Sequence, residues 1–336
     1  MNKEYKIFLT ILPLFIVFAG KLAATDFKFN SNGKFKIVQV TDSHIKSDDV
    51  IPSNETVTML NQVLDAERPD LVIFTGDIVT GKPYKSGFEM VIEPVIRRKL
   101  PWALVFGNHD NEQDLNYEQL ADLIQSTPYN VGKMKKMKNV SGYGNFTIEI
   151  KGKDSKKIQA VLYCMDSHAY SKIDSVKGYD WFAFDQVEWY RKKSEKYTAS
   201  NKGIPLPALA FFHIPLLEYR TVYTQKGHKI IGSQLENVCS PEINTGMFTA
   251  MLEKGDVMGT FVGHDHNNDY IFNYYGIALT YGRFSGSKTT YGDLKNGVRV
   301  IELTEGQKGF DTWIRLNSEE VIHQVKFPDD LPLSKK

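Results

Sequence analysis

Apolar positions along the chain gather into short runs separated by polar breaks. Phe35–Val40, Leu71–Phe74 and Pro101–Phe106 are runs of strand length. Between them, Asn54–Glu67 carries Val57, Leu60, Val63 and Leu64 at helical spacing behind a capping Asn54, and Phe88–Lys99 predicts a second helix. Strand, helix, strand, helix, strand is the order of parallel βαβ units. A helix follows over Tyr117–Gln125. Tyr143–Ile150 and Lys157–Met165 then predict two antiparallel strands joined by a polar turn at Gly152. Helices are expected over Asp185–Lys196 and over Asn244–Lys254, the latter capped by Asn244, with a strand over Leu209–Phe212 between them. Beyond Gly255 the pattern is mostly strand: Val257–Val262, Tyr270–Asn273, Gly276–Tyr281, Val298–Leu303 and Phe310–Leu316. With no internal repeat and no low-complexity linker, this predicts an α/β fold: one domain, with helices outside two central sheets.

The N-terminus has another pattern. Lys3 and Lys6 precede the apolar run Ile7–Phe18, and Ala23-Ala24 come after it. That is the pattern of a signal peptide over residues 1–24, leaving 25–336 as the domain and implying a secreted or periplasmic protein. The run is short for a membrane span, so no stable membrane insertion is expected; an uncleaved anchor is the alternative.

Composition narrows the partners. A net charge of +1 over 336 residues gives no electrostatic case for nucleic acid or an anionic membrane. The basic stretch Gly132–Asn139 reads as a solvated loop, with an anionic-substrate rim as the sharper alternative. Cys164 and Cys239 allow one disulfide or two unpaired thiols, and neither belongs to a CxxC pair that would bind zinc.

The residues just past each strand run carry the chemistry. Phe35–Val40 leads into Asp42 and His44, Leu71–Phe74 into Gly76-Asp77, and Pro101–Phe106 into Gly107-Asn108-His109-Asp110. Leu209–Phe212 leads into His213, and Val257–Val262 into Gly263-His264-Asp265-His266. Five of the eight histidines lie in these endings, whereas His168, His228 and His323 do not. Asp42 and His44 are one residue apart, as are His264 and His266, so in an extended segment each pair shares a face. Nitrogen and oxygen donors without sulfur suit zinc, iron or manganese. A carboxylate such as Asp77 can bridge two cations, and Gly107 marks a turn where a side chain would not fit.

Asp42-x-His44, Gly76-Asp77, Gly107-Asn108-His109-Asp110, His213 and Gly263-His264-x-His266 resemble, in order, the signature of the calcineurin-like metallophosphoesterases. Leu162–Ser167, Gly178–Trp181 and Asp185–Trp189 resemble its short purple-acid-phosphatase-like branch. The resemblance implies a four-layer α/β/β/α sandwich with two mixed sheets and two divalent or trivalent metal ions (Mn, Zn or Fe). It implies one ion on Asp42, His44, Asp77 and His266, and another on Asp77, Asn108, His213 and His264. It further implies hydrolysis of small-molecule or protein phosphate esters by metal-bound hydroxide, with His109 protonating the leaving group and Asn108 near the substrate. Purple acid phosphatases carry a tyrosine three residues after the bridging Asp, where this chain has Thr80, so no purple chromophore is expected. The Asp that protein phosphatases use to support the leaving-group His is absent at the same place, which leaves Asp110 or a main-chain carbonyl to orient His109. Arg283, just past a strand, is a candidate phosphate clamp. A phosphodiesterase or nuclease on the same site and a non-catalytic phosphate- or metal-binding protein are the alternatives. A metallo-β-lactamase-type site lacks its last His.

Overall fold

The computed structural model describes residues 26–224 and 229–333, so the expected signal peptide and His228 lie outside the described residues. In chain order come β1 (Lys34–Val40), α1 (Val50–Glu67), β2 (Leu71–Thr75), α2 (Tyr84–Arg97), β3 (Trp102–Val105), α3 (Tyr117–Ser126), β4 (Phe146–Lys151) and β5 (Ile158–Cys164). They are followed by α4 (Phe184–Ser200), β6 (Ala208–Phe211), the short α5 (Thr221–Thr224), β7 (Ile230–Ile231), α6 (Met247–Lys254) and β8 (Val257–Val262). The C-terminal part holds β9 (Ile271–Tyr274), β10 (Ile277–Tyr281), β11 (Val298–Thr304), β12 (Phe310–Arg315) and β13 (Val321–Phe327).

One sheet has the order β13-β12-β11-β1-β2-β3, the other β4-β5-β6-β8-β10-β9-β7. Strands β1, β2 and β3 are parallel, as are β5, β6, β8 and β10, while the flanking strands pair antiparallel. Alternation on the shared strands builds two cores. On β6, Leu209 and Phe211 face the core shared with the first sheet, while Ala208 and Ala210 face a second core with Trp189 and Tyr190 of α4 and Met251 of α6. The expected four layers are therefore present: helices α1 and α2, two sheets, and helices α4 and α6.

Several boundaries differ from the sequence pattern. Helix α1 begins at Val50, ahead of Asn54, because Pro52 is tolerated in a first turn; Asn54 is not its cap. Helix α2 begins at Tyr84 and runs through Gly87, where a Cβ would press on Val79. Helix α6 begins only at Met247, because Gly246 sits at φ 85° and Asn244 turns its amide oxygen to the Gly246 N–H instead of capping. Strand β13 escapes an alternation test because His323 breaks it at φ 51°. Cys164 is buried and Cys239 exposed, and the two are not bonded. Among the described residues no helix is long and apolar enough to cross a membrane.

The sheets lock together through Phe261 of β8. Its ring stacks on Phe211 at 5.2 Å and meets Phe310 of the other sheet edge-on at 5.5 Å. Phe261→Ala should therefore lower unfolding stability in urea by about 3–5 kcal/mol. A loss below about 1 kcal/mol would show that the sheets are joined elsewhere.

Candidate dinuclear metal centre

The parallel strands of both sheets end at one edge, and each expected ligand hangs from one of those ends. Strand β1 leads to Asp42 and His44, β2 to Asp77, β3 to Asn108, β6 to His213, and β8 to His264 and His266. Gln39, buried within β1, ties this edge together by donating its amide to the Thr75 hydroxyl and the Val262 carbonyl, each at 3.0 Å. The ligands do not meet by lying along extended segments. Asp42, His44, Asp77 and His264 have φ of 53°, 43°, 52° and 79°. Such left-handed positions cost roughly 1–2 kcal/mol each in L-residues, and their concentration here marks a site held against local preference. Gly107 and Gly263 are required by close approach: a Cβ on Gly107 would run into the Asp77 carboxylate, and one on Gly263 into the Thr41 hydroxyl and the Asp42 carboxylate.

Two clusters result. Donor atoms of Asp42, His44 and His266 lie within 4.8 Å of one another, as do those of Asp77, His213 and His264. The clusters adjoin: His44 Nε2 is 3.8 Å from Asp77 Oδ2, and His213 Nε2 is 4.0 Å from Asp42 Oδ1. Asn108 Oδ1 joins the second cluster at 3.1 Å from His213 Nε2.

The donors fit cations. His213 Nδ1 lies 2.7 Å from the Thr75 carbonyl and His266 Nδ1 lies 2.8 Å from the Tyr291 carbonyl. A carbonyl only accepts, so each Nδ1 carries a proton and each Nε2 is turned to the site. The Nε2 atoms of His44 and His264 are buried with no hydrogen-bond partner. A buried polar atom left unmatched is destabilising by about 1–3 kcal/mol, and a coordinated cation would remove that deficit.

Electrostatics agree. Burial pushes His44 and His264 down to about 3, so both are neutral donors. Burial alone would raise Asp42 and Asp77. The neighbouring imidazoles outweigh it and hold both carboxyls below their ordinary value. Burial opposes charge on His213, yet Asp77 at 3.1 Å lifts it to about 10.

Three other expectations turn out differently. Asp110 does not orient His109. Its buried carboxylate accepts the N–H groups of Gly107 at 2.8 Å and of Asp77 and Ile78 at 3.0 Å, so it shapes the loop that presents Asp77. Burial, with the Asp77 charge, raises it to about 6. Nor does a carbonyl hold His109: its Nδ1 lies 2.6 Å from Glu112 Oε2, a partner that sequence reasoning missed. The turn closed by Glu112 N–H on the His109 carbonyl at 3.2 Å brings the two together, and an acidic residue three places after the histidine was the available signal. Arg283 is not a phosphate clamp. It is buried, paired with Asp269 through Nη1 and bonded through Nε to the Lys295 carbonyl at 2.7 Å, which makes it a structural ion pair.

The model of the calcineurin-like phosphoesterase family matches residues 35–268, a span that holds every ligand named above. The chain belongs to the calcineurin-like phosphoesterase family. Within it, the chain is 31% identical to "Probable inactive purple acid phosphatase 29" of Arabidopsis thaliana over 88% of its own length and 85% of that protein's. It is 34% identical to "Phosphatase DCR2" of Saccharomyces cerevisiae over 89% of this chain and 56% of that protein. Its fold resembles a dimetal phosphatase from Danio rerio, with a TM-score of 0.60 at 11% identity, covering 87% of this chain and 99% of that one.

The His213 value gives a signed expectation. Held up to about 10, His213 is protonated at pH 7 in the metal-free chain, and that proton must leave Nε2 before a cation can bind there. Titration calorimetry of Mn²⁺ into metal-stripped protein, in buffers of different ionisation enthalpy, should show at least one proton released per chain at pH 7 and tighter binding as pH rises towards about 10. Binding without proton release would contradict the ion pair.

Proposed function

We propose that this protein is an exported phosphoesterase that hydrolyses the phosphate esters of small molecules or proteins at a dinuclear metal centre. One observation carries the proposal: two adjoining clusters of ligands lie beside a histidine whose orientation is already fixed by a carboxylate. Asp42, His44, Asp77 and His266 would hold one cation; Asp77, Asn108, His213 and His264 would hold the other. Cations bound there lower the pKa of a water molecule and offset the charge of the phosphoryl oxygens.

His109 supplies the proton. Its main-chain N–H binds Asp77 Oδ1 at 2.8 Å, and its ring lies 5.8 Å from that of His44, so it stands at the rim of the centre. Because Glu112 takes Nδ1, Nε2 is the nitrogen that can face the departing oxygen. Export rests on the Lys3 to Ala24 pattern alone. The Arabidopsis relatives named "probable inactive" favour a second reading, in which the chain binds metal without turnover.

Proton donation by a placed side chain is typically worth about 10²–10⁴ in rate, and it matters most when the leaving group is poor. His109→Ala should therefore lose far more kcat on an alkyl phosphate than on p-nitrophenyl phosphate, whose leaving group departs without a proton, at unchanged metal content. An equal loss on both esters would end the general-acid role. A wild type that is fully metal-loaded and inert to both esters would establish the second reading.

A further inference from the structure

A cavity of about 730 Å³ opens directly beside the rim of the centre. Asn108 and Glu112, the partner of His109, are among its lining residues. The His109 ring lies 6.4 Å from that of Tyr170 on the cavity wall, so the cavity adjoins both the proton donor and the Asn108 end of the second cation position. The volume falls within the usual range for pockets that hold an organic ligand of substantial size, roughly 300–1,000 Å³.

Its walls have a definite chemistry. Tyr117, Tyr143, Tyr170 and Trp181 contribute aromatic surface. Two of these are braced by stacking: Tyr117 on Tyr143 at 5.5 Å, and Tyr170 on Tyr179 at 5.7 Å. Tyr170 is pinned further by a 3.3 Å hydrogen bond from the Asn108 amide and by the backbone pairing of its hairpin, Ser171 N–H to the Gly178 carbonyl and Asp180 N–H to the Ala169 carbonyl, each at 3.0 Å. The charged groups on the wall are Glu112, Asp166, Asp180 and Asp185 against Lys136 and Lys172. Both lysines are exposed, whereas Asp166 is buried and Asp180 and Asp185 are half-buried, so negative charge prevails inside. The one imidazole on the wall, His168, is bonded to Gln186 at 2.7 Å.

From this arrangement we infer that the cavity is the leaving-group pocket and that it selects phosphate esters of a cationic organic alcohol, such as one bearing a quaternary ammonium. Aromatic faces attract such a cation through their quadrupoles, and the surrounding carboxylates add a charge-matched field. A leaving group carrying a second phosphate or a carboxylate would meet like charge. The assignment rests on the phosphoesterase reading above, and it goes further by naming the half of the substrate that the chain distinguishes.

The test compares phosphocholine with 3,3-dimethylbutyl phosphate, its uncharged isostere, and with 2-phosphoglycolate, using the metal-loaded protein. We expect kcat/KM for phosphocholine to exceed that of the isostere at least tenfold, with phosphoglycolate the slowest, and the ratio to shrink as salt is added. Asp180→Asn and Trp181→Leu should each pull the ratio towards one. A ratio is internal to each protein preparation, so partial loss of folded material does not disturb it. A wild-type ratio near or below one overturns the assignment while leaving ester hydrolysis intact. If no ester is hydrolysed, the phosphoesterase reading falls and calorimetric titration with choline decides the pocket. Binding to the wild type that is lost in Trp181→Leu supports it, and absence of binding overturns it.

Discussion

Two carboxylates, Asp42 and Asp77, are buried together where the two β-sheets end, and the surrounding structure is arranged to keep them there. Removing such charges from water costs several kcal/mol each unless partners are provided. In the chain alone the partners are imidazoles, chiefly His213 and His266. With cations present the same imidazoles would become ligands, and the carboxylates would have the countercharge that their burial calls for. The left-handed turns, the glycines that let Gly107 and Gly263 pass against the carboxylates, and the Asp110 carboxylate gripping three main-chain N–H groups all serve this one requirement. Each is locally unfavourable or expendable elsewhere, and each is accounted for by the need to hold Asp42 and Asp77 in position.

The fold derives from the same edge. Because β1, β2 and β3 run parallel, as do β5, β6 and β8, their C-terminal ends lie on one side, and loops from both sheets converge there. The aromatic interlock through Phe261 and the Gln39 bridge to the Val262 carbonyl set the distance between the sheets. The ligand spacing is thus a consequence of how the sheets pack. The hairpin carrying Tyr170 meets this edge directly, through the Asn108 amide on the Tyr170 hydroxyl and the Tyr179 ring 4.4 Å from that of His264, so the cavity wall and the ligand shell are built together.

The metal ligands are legible in the chain because each lies just past an apolar run: the run predicts the strand, and the strand end predicts the edge. Other features have no such marker. Glu112 lies among polar residues that look like any solvated loop, and it matters only because a tight turn folds it back onto His109. Adjacency in sequence points Asp110 at His109, yet neighbouring side chains leave the backbone in different directions, and the Asp110 carboxylate points into the loop. Arg283 looks available in the sequence because its partner is not adjacent to it. The register of the β9–β10 hairpin, which pairs Thr280 with Ile271, brings Asp269 alongside it. Helix starts are the least legible, since packing of Gly87 on Val79 and the turn at Gly246 decide them.

Asp77 is proposed to serve both metal positions, since it lies in one cluster and 3.8 Å from His44 of the other. Metal analysis of the wild type and of Asp77→Asn after saturation with Mn²⁺ and removal of excess tests it most directly. An amide keeps the shape but loses the charge and the second anionic oxygen of a bridge. The wild type should retain two ions per chain, in keeping with its two ligand clusters, and the variant should lose occupancy at both. A wild type that holds no more than one ion at saturation, or an Asp77→Asn protein that holds the full wild-type complement, would rule out a shared Asp77.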